Sequence, residues 1–265
     1  MSSPVVTLRP GQTPLLVSLP HIGQHIPPEL ADAFLPHALH VEDTDWHLDQ
    51  VYDFVPGLGA SLIVPHHSRY VIDLNRPSDN RPMYPGVNNT ELCPTRSFTG
   101  AALYRDGLAP DAAEVARRTT RYWQPYHDAL RWELERLKRE HGYAILLDGH
   151  SIKSELPWLF PGRLPDLNLG TADGTSCAPA LRDVLAAVLA AQTCHTHVVD
   201  GRFKGGYITR HYGQPGEGIH AVQLEKCWSC YMQESPPYAW DAPRAAPLRP
   251  VLREFVETAL AWRPA

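Results

Sequence analysis

The 265-residue sequence has no apolar stretch of membrane-spanning length. Its first residues, Met1-Ser2-Ser3-Pro4, lack the basic-then-apolar pattern of a secretory leader, so the expected setting is cytoplasmic with no membrane partner. An excess of positive charge is missing too. Lys and Arg number 24 against 29 Asp and Glu, a net charge of −5, which argues against nucleic acid as the main partner. Cysteine is sparse: the five thiols, at positions 93, 177, 194, 227 and 230, show no repeating spacing. Cys227-Trp228-Ser229-Cys230 has the spacing of a redox or metal pair, but no second pair completes a four-cysteine zinc site, so the thiols read as incidental and half-buried. Internal repeats, low-complexity tracts and linker-like shifts in composition are absent as well, and one domain over residues 1–265 is the simplest organisation. Nothing in the sequence fixes an oligomeric state.

What is present is an ordinary globular balance, 43% hydrophobic and 20% charged, with 26 prolines and 14 histidines. Leu15 to Leu19 reads as a buried strand ending at Pro20-His21. Residues 28–38 and 43–54 read as helices, the second carrying Asp45 and Asp49 one turn apart. Residues 60–64 and 70–74 read as adjacent strands around a His-His-Ser turn. The Pro/Asn/Gly-rich stretch 77–108 and residues 154–176 read as long loops. From 110 to 141, Val115, Thr119, Tyr122, Tyr126, Leu130, Leu134 and Leu137 mark one face of a long helix, which Pro125 should kink or divide. Residues 143–147 form an apolar strand delivering Asp148-Gly149-His150-Ser151 at its end. Further strands are expected at 197–200, 207–209 and 219–224, and helices at 179–192 and 246–261. Alternating helices and apolar strands indicate an α/β sandwich with a mostly parallel or mixed sheet.

Sites in such sheets collect at the carboxyl ends of strands, where His21, His150 and Glu225 all fall. Hydrolysing an amide at neutral pH requires an activated water, a polarised carbonyl and a proton for the leaving amine. One divalent metal ion, Zn²⁺ or another transition metal that accepts imidazole and carboxylate, supplies the first. His21 and His150 are the candidate imidazole ligands. Asp45 is the favoured third, with Glu42 as alternate. His25 is a further option, although Pro27 and Pro28 disfavour the helical run it would need. The Glu42-Asp43-Thr44-Asp45 cluster reads equally well as the capped start of a helix. Glu225, partly desolvated at its strand end, is the candidate general base and acid. Arg69 is placed to stabilise an oxyanion, and Asn75 with Arg76 to grip a substrate carboxylate. Gly205-Gly206-Tyr207-Ile208-Thr209-Arg210 adds another arginine after a flexible turn. So many cations imply a small anionic substrate.

Six segments in this order resemble the N-formylglutamate amidohydrolase family: Ser18 to Gly23, Asp43 to Trp46, Ser68 to Pro77, Asp148 to Ser151, Gly205 to Arg210, and His220 to Glu225. More distantly they resemble the zinc carboxypeptidase and aspartoacylase superfamily, from which the absence of Glu at the His21+3 position, Gln24, is a departure. The resemblance implies a three-layer αβα sandwich of the zinc-carboxypeptidase type around a mixed, mostly parallel sheet. It also implies hydrolysis of N-formyl-L-glutamate to formate and L-glutamate within histidine degradation. The two substrate carboxylates would suit Arg76 and Arg210, with Tyr207 beside them. Two other readings stay open: a deacylase or carboxypeptidase acting on another N-acyl amino acid, and a metal-free dicarboxylate-binding protein.

Overall fold

A computed structural model describes residues 4–81 and 88–264. Seven strands form one sheet in the order β1-β3-β2-β4-β7-β5-β6. They are β1 (Val6–Arg9), β2 (Leu15–Ser18), β3 (Ser61–Pro65), β4 (Ala144–Ile152), β5 (Leu167–Gly170), β6 (His197–Val199) and β7 (Ile219–Cys227). The β3-β2-β4-β7 centre is parallel, as is β5 with β6, whereas β1 on β3 and β5 on β7 are antiparallel. The expected α/β architecture with a mixed, mostly parallel sheet is therefore observed.

Strand alternation sends neighbouring side chains to opposite faces. Leu15, Val17, Ile145, Leu147, Val222 and Leu224 enter one apolar layer, shared with helices α2 (Leu48–Val51), α5 (Pro179–Ala191) and α7 (Ala242–Ala261). Leu16, Ile63, Leu146 and Ala221 enter the other, shared with α1 (Pro28–Ala31) and α4 (Gln124–His141). On this second face the character changes along the strands. Leu16 is followed by Ser18, Leu146 by Asp148 and His150, and Ala221 by Gln223 and Glu225. All five polar residues are buried. The sheet thus supplies an apolar floor at its amino end and a buried polar patch at its carboxyl end.

The long amphipathic segment is one rod in three parts: α3 (Ala112–Arg118), a π-helical turn (Thr119–Trp123) and α4. Pro125 lacks an N–H and crowds the preceding turn, and the wider turn lies just before it. The Thr119 and Thr120 hydroxyls bond back to the Val115 and Ala116 carbonyls. Gly142 closes α4 with φ 83°.

Several elements differ from the sequence reading. Residues 70–74 are buried turns and not a strand: the Val71 N–H donates to the Ser68 carbonyl, the Asp73 N–H to the Leu92 carbonyl and the Asn75 N–H to the Asp73 carboxylate, so turn and loop acceptors replace a ladder. Residues 28–38 yield only α1 and the start of a 3₁₀ turn opened by Pro36, and 43–54 only α2. His47, at φ 58°, separates Asp45 from α2, so Asp45 and Asp49 do not share a helix. Residues 207–209 belong to helix α6 (Tyr207–Tyr212). The strands β4 and β7 run through His150 and Glu225 to Ile152 and Cys227, and the loop 154–176 contains β5. Strand β1 is additional, and α7 begins four residues before the expected 246. Among the described residues no helix is long and apolar enough to cross a membrane.

Candidate active site

The polar patch begins where β2 ends. His21 follows two residues after Leu19, and its carbonyl accepts the Asp45 N–H at 3.0 Å, which brings the 43–46 turn to the sheet. Gly23 permits the close approach of the His66-His67 segment: a Cβ there would sit 2.2 Å from the His67 carbonyl oxygen. On β4 and β7, His150 lies directly across the parallel ladder from Glu225 and Asp148 from Gln223. Gly149, between Asp148 and His150, faces the opposite layer, where a Cβ would stand 2.7 Å from Leu19.

Each imidazole is held from behind by a carboxylate. His21 Nε2 lies 2.7 Å from Asp73 Oδ1, and His150 Nε2 lies 2.8 Å from Asp148 Oδ2. The Nδ1 atoms of both rings turn toward Asp45 Oδ2, at 3.8 Å for His21 and 3.2 Å for His150. The candidate ligand atoms of His21, Asp45 and His150 all lie within 4.8 Å of one another. Among the described residues, His21 Nδ1 and Asp45 Oδ1 are buried without a hydrogen-bond partner. Two imidazole nitrogens, a carboxylate and a carboxylate behind each ring are a donor set that fits a divalent transition ion. Glu42 and His25 are not in this group. His25 is exposed, and its backbone pairs with His67.

The supporting carboxylates have no exposed surface. Asp73 accepts Arg69 Nη2 at 2.6 Å and the Asn75 N–H at 2.8 Å besides contacting His21. Burial works against its charge, but Arg69 and His21 hold its carboxyl well below the usual range. Asp148 also accepts the Ser18 hydroxyl at 2.9 Å. The two imidazoles respond differently. Burial lowers His21, reinforced by the nearby Arg69 charge. For His150, burial is outweighed by Asp148 and Asp45, which raise it to about 10. Burial pushes the Glu225 carboxyl up to about 7, and Asp45 reinforces the shift against His150 and Lys226.

The cavity above this cluster is lined by His21, Asp45, Arg69, Asn75, Arg76, His150 and Glu225. Seven of the nine residues anticipated from sequence therefore meet there. Arg69 lies over the Phe98 ring at 4.4 Å. Asn75 is committed to the framework: its Oδ1 accepts the Ile208 N–H at 2.8 Å, and its Nδ2 lies 3.4 Å from Asp148 Oδ2. Arg76 is braced by Thr90 through its carbonyl and hydroxyl.

Tyr207 and Arg210 are not among the described residues that line the cavity. They ride on α6. Tyr207 stacks on His211, and exposed Arg210 donates through Nε to the Gly205 carbonyl at 2.9 Å. What reaches the cavity from that motif is Gly206, tied by its N–H to Gln223 at 2.7 Å and so close to Asn75 that a Cβ would come within 2.3 Å of its amide. The cation missed from sequence is Arg202, which lines the cavity beside Phe203. Its signal was weak: one more arginine just before the Gly205-Gly206 turn. Asp73 and Asp148 lie within the Ser68–Pro77 and Asp148–Ser151 motifs, whose spacing does not reveal that they reach behind the imidazoles.

The sequence profile of the family described as N-formylglutamate amidohydrolase matches residues 13–232. The chain is 50% identical to an N-formylglutamate deformylase of Pseudomonas aeruginosa, over 97% of both chains. It is 47% identical to one of Pseudomonas putida, covering 97% of this chain and 96% of that one. A crystal structure of an N-formylglutamate amidohydrolase from Ralstonia eutropha JMP134 superposes with a TM-score of 0.81 at 25% identity, covering 97% of this chain and 96% of that one. A structure of a gene product from Agrobacterium tumefaciens shares the fold, with a TM-score of 0.74 at 19% identity, over 98% of this chain and 96% of that one.

The buried Asp73 makes a direct prediction. Asp73→Ala strands the Arg69 guanidinium, His21 Nε2 and the Asn75 N–H, and should cost about 3–5 kcal/mol of stability in urea unfolding. A loss below about 1 kcal/mol would contradict the framework role.

Proposed function

The chain belongs to the N-formylglutamate amidohydrolase family, and on that premise we propose that it hydrolyses N-formyl-L-glutamate to formate and L-glutamate within histidine degradation, as a single metallohydrolase domain over residues 1–265. The observation that carries this reading is the meeting of Glu225 with the His21–Asp45–His150 donors and the side chains of Arg69, Arg76 and Arg202 in one cavity.

His21 and His150 through Nδ1, with Asp45, would hold one divalent ion, Zn²⁺ being expected. When bound, the ion lowers the pKa of a water molecule and polarises the formyl oxygen. Asp73 and Asp148 keep both rings oriented through their Nε2 atoms. Glu225 accepts the proton of the attacking water. As the C–O bond forms and the C–N bond breaks, it delivers that proton to the departing glutamate nitrogen. Its carboxyl, raised to about 7 by burial, suits both transfers. Arg69, fixed by Asp73, steadies the negative charge that grows on the carbonyl oxygen. Arg76 and Arg202 receive the two substrate carboxylates. Asn75 and Arg210 act behind them, the first by holding Ile208 at the start of α6 and the second by bracing Gly205. On this assignment kcat/KM should be higher for N-formyl- than for N-acetyl- or peptidyl-glutamate.

Glu225→Gln should still bind N-formyl-L-glutamate by calorimetry but lose about 10²- to 10⁴-fold in formate release, and a near-normal rate would remove Glu225 from proton transfer. In the wild type the base must be ionised, and a bound cation favours its ionised form. The kcat/KM profile should therefore rise with pH through a limb centred at or below about 7. Activity that falls as pH rises through that range would contradict the assignment.

A further inference from the structure

A second set of metal-type donors lies outside the cavity. Asp166 stands in the segment leading into β5, His195 in the turn between α5 and β6, and Cys230 in the 3₁₀ turn Trp228–Cys230 that follows β7. One ligand atom from each lies within 4.8 Å of the others. An independent observation points to the same place: His195 Nε2 is buried, with no hydrogen-bond partner among the described residues.

The hydrogen bonds around these residues fix their backbones and one carboxylate oxygen. Asp166 Oδ2 accepts the Thr196 N–H at 3.0 Å and its hydroxyl at 2.9 Å, while the Asp166 N–H donates to the same hydroxyl at 2.9 Å. The other oxygen, Oδ1, has Arg163 at 3.9 Å. Gln192 clamps His195 on both sides, accepting its N–H at 2.8 Å and donating to its carbonyl at 2.7 Å. The Asp166 carbonyl accepts the Cys227 N–H at 2.9 Å, which locks the segment to the end of β7. Cys230 Sγ makes only a 3.9 Å contact with that carbonyl. Asp166 and His195 are half-buried, which leaves an entry path for an ion, whereas the thiol is buried.

We propose that Asp166, His195 and Cys230 form a second metal site, for a borderline transition ion such as Zn²⁺, that ties the β5 and β6 approaches to the end of β7. One imidazole nitrogen, one carboxylate oxygen and one thiolate are a zinc-type ligand set, with water in the fourth position. On binding, the Cys230 thiol releases its proton to solvent and its sulfur bonds the ion; no electrons are exchanged.

Cobalt reads this site separately, because His21, Asp45 and His150 offer no thiolate. Co²⁺ is titrated into the metal-depleted full-length protein and thiolate-to-cobalt charge-transfer absorption is followed in the near ultraviolet. The band should appear, saturate, and be displaced by Zn²⁺. It should vanish in Cys230→Ser, persist in Cys194→Ser and His150→Ala, and require about tenfold more cobalt or greater in His195→Ala. No band in the wild type at saturating cobalt, or a band that survives Cys230→Ser, would overturn the site.

Discussion

Two contacts fix the chemistry of this protein: Asp73 to His21 and Asp148 to His150, each from a carboxylate with no exposed surface. A buried carboxylate is tolerable only when its oxygens are paired, and here the pairing serves several groups at once. Asp73 gathers Arg69, His21 and the Asn75 backbone, while Asp148 gathers His150 and Ser18. Because the outer nitrogens are engaged, the inner ones point at Asp45. The orientation of the site thus follows from satisfying two buried charges.

The sheet makes this burial possible. Its second face is apolar where Leu16, Leu146 and Ala221 pack and polar two residues further along the same strands. Carboxylates are numerous in the patch, with Asp45, Asp73, Asp148 and Glu225 buried near Arg69 and Lys226. Asp148 and Asp45 raise the proton affinity of His150, whereas burial, reinforced by Asp45, raises that of Glu225. The field of these carboxylates would also attract a divalent ion to the His21–Asp45–His150 donors. Arg69, Arg76 and Arg202 line one cavity, and in the proposed mechanism the last two meet the charge brought by a substrate while Arg69 meets the charge formed during reaction.

Much of this was legible because it depends on local pattern. Short apolar runs ending in His21 and His150 announce strands that deliver side chains to a sheet end, and the polar positions of the Asp43 to Asp45 turn marked a donor near them. What was hidden depends on distant contacts. Tyr207-Ile208-Thr209 has the composition of a strand, yet Ile208 donates to Asn75 and Gly206 to Gln223, and these ties start a helix. Residues 70–74 have a β-rich composition, but their backbone N–H groups go to turn and loop carbonyls, Val71 to Ser68 and Asp73 to Leu92, instead of to a neighbouring strand. Strand β5 sits in a Pro/Gly-rich stretch and exists through pairing with β7 and β6. Arg202 and Arg210 look alike in sequence; the α6 helix turns Arg210 outward, while Arg202 reaches the cavity.

The central claim, that the Nδ1 atoms of His21 and His150 with Asp45 hold a catalytic ion, is tested most directly by metal analysis and formate release on the same folded preparations of wild type and His150→Ala. The account predicts that the variant holds about one ion fewer per chain and releases no formate above background. Equal metal content with retained formate release would contradict it.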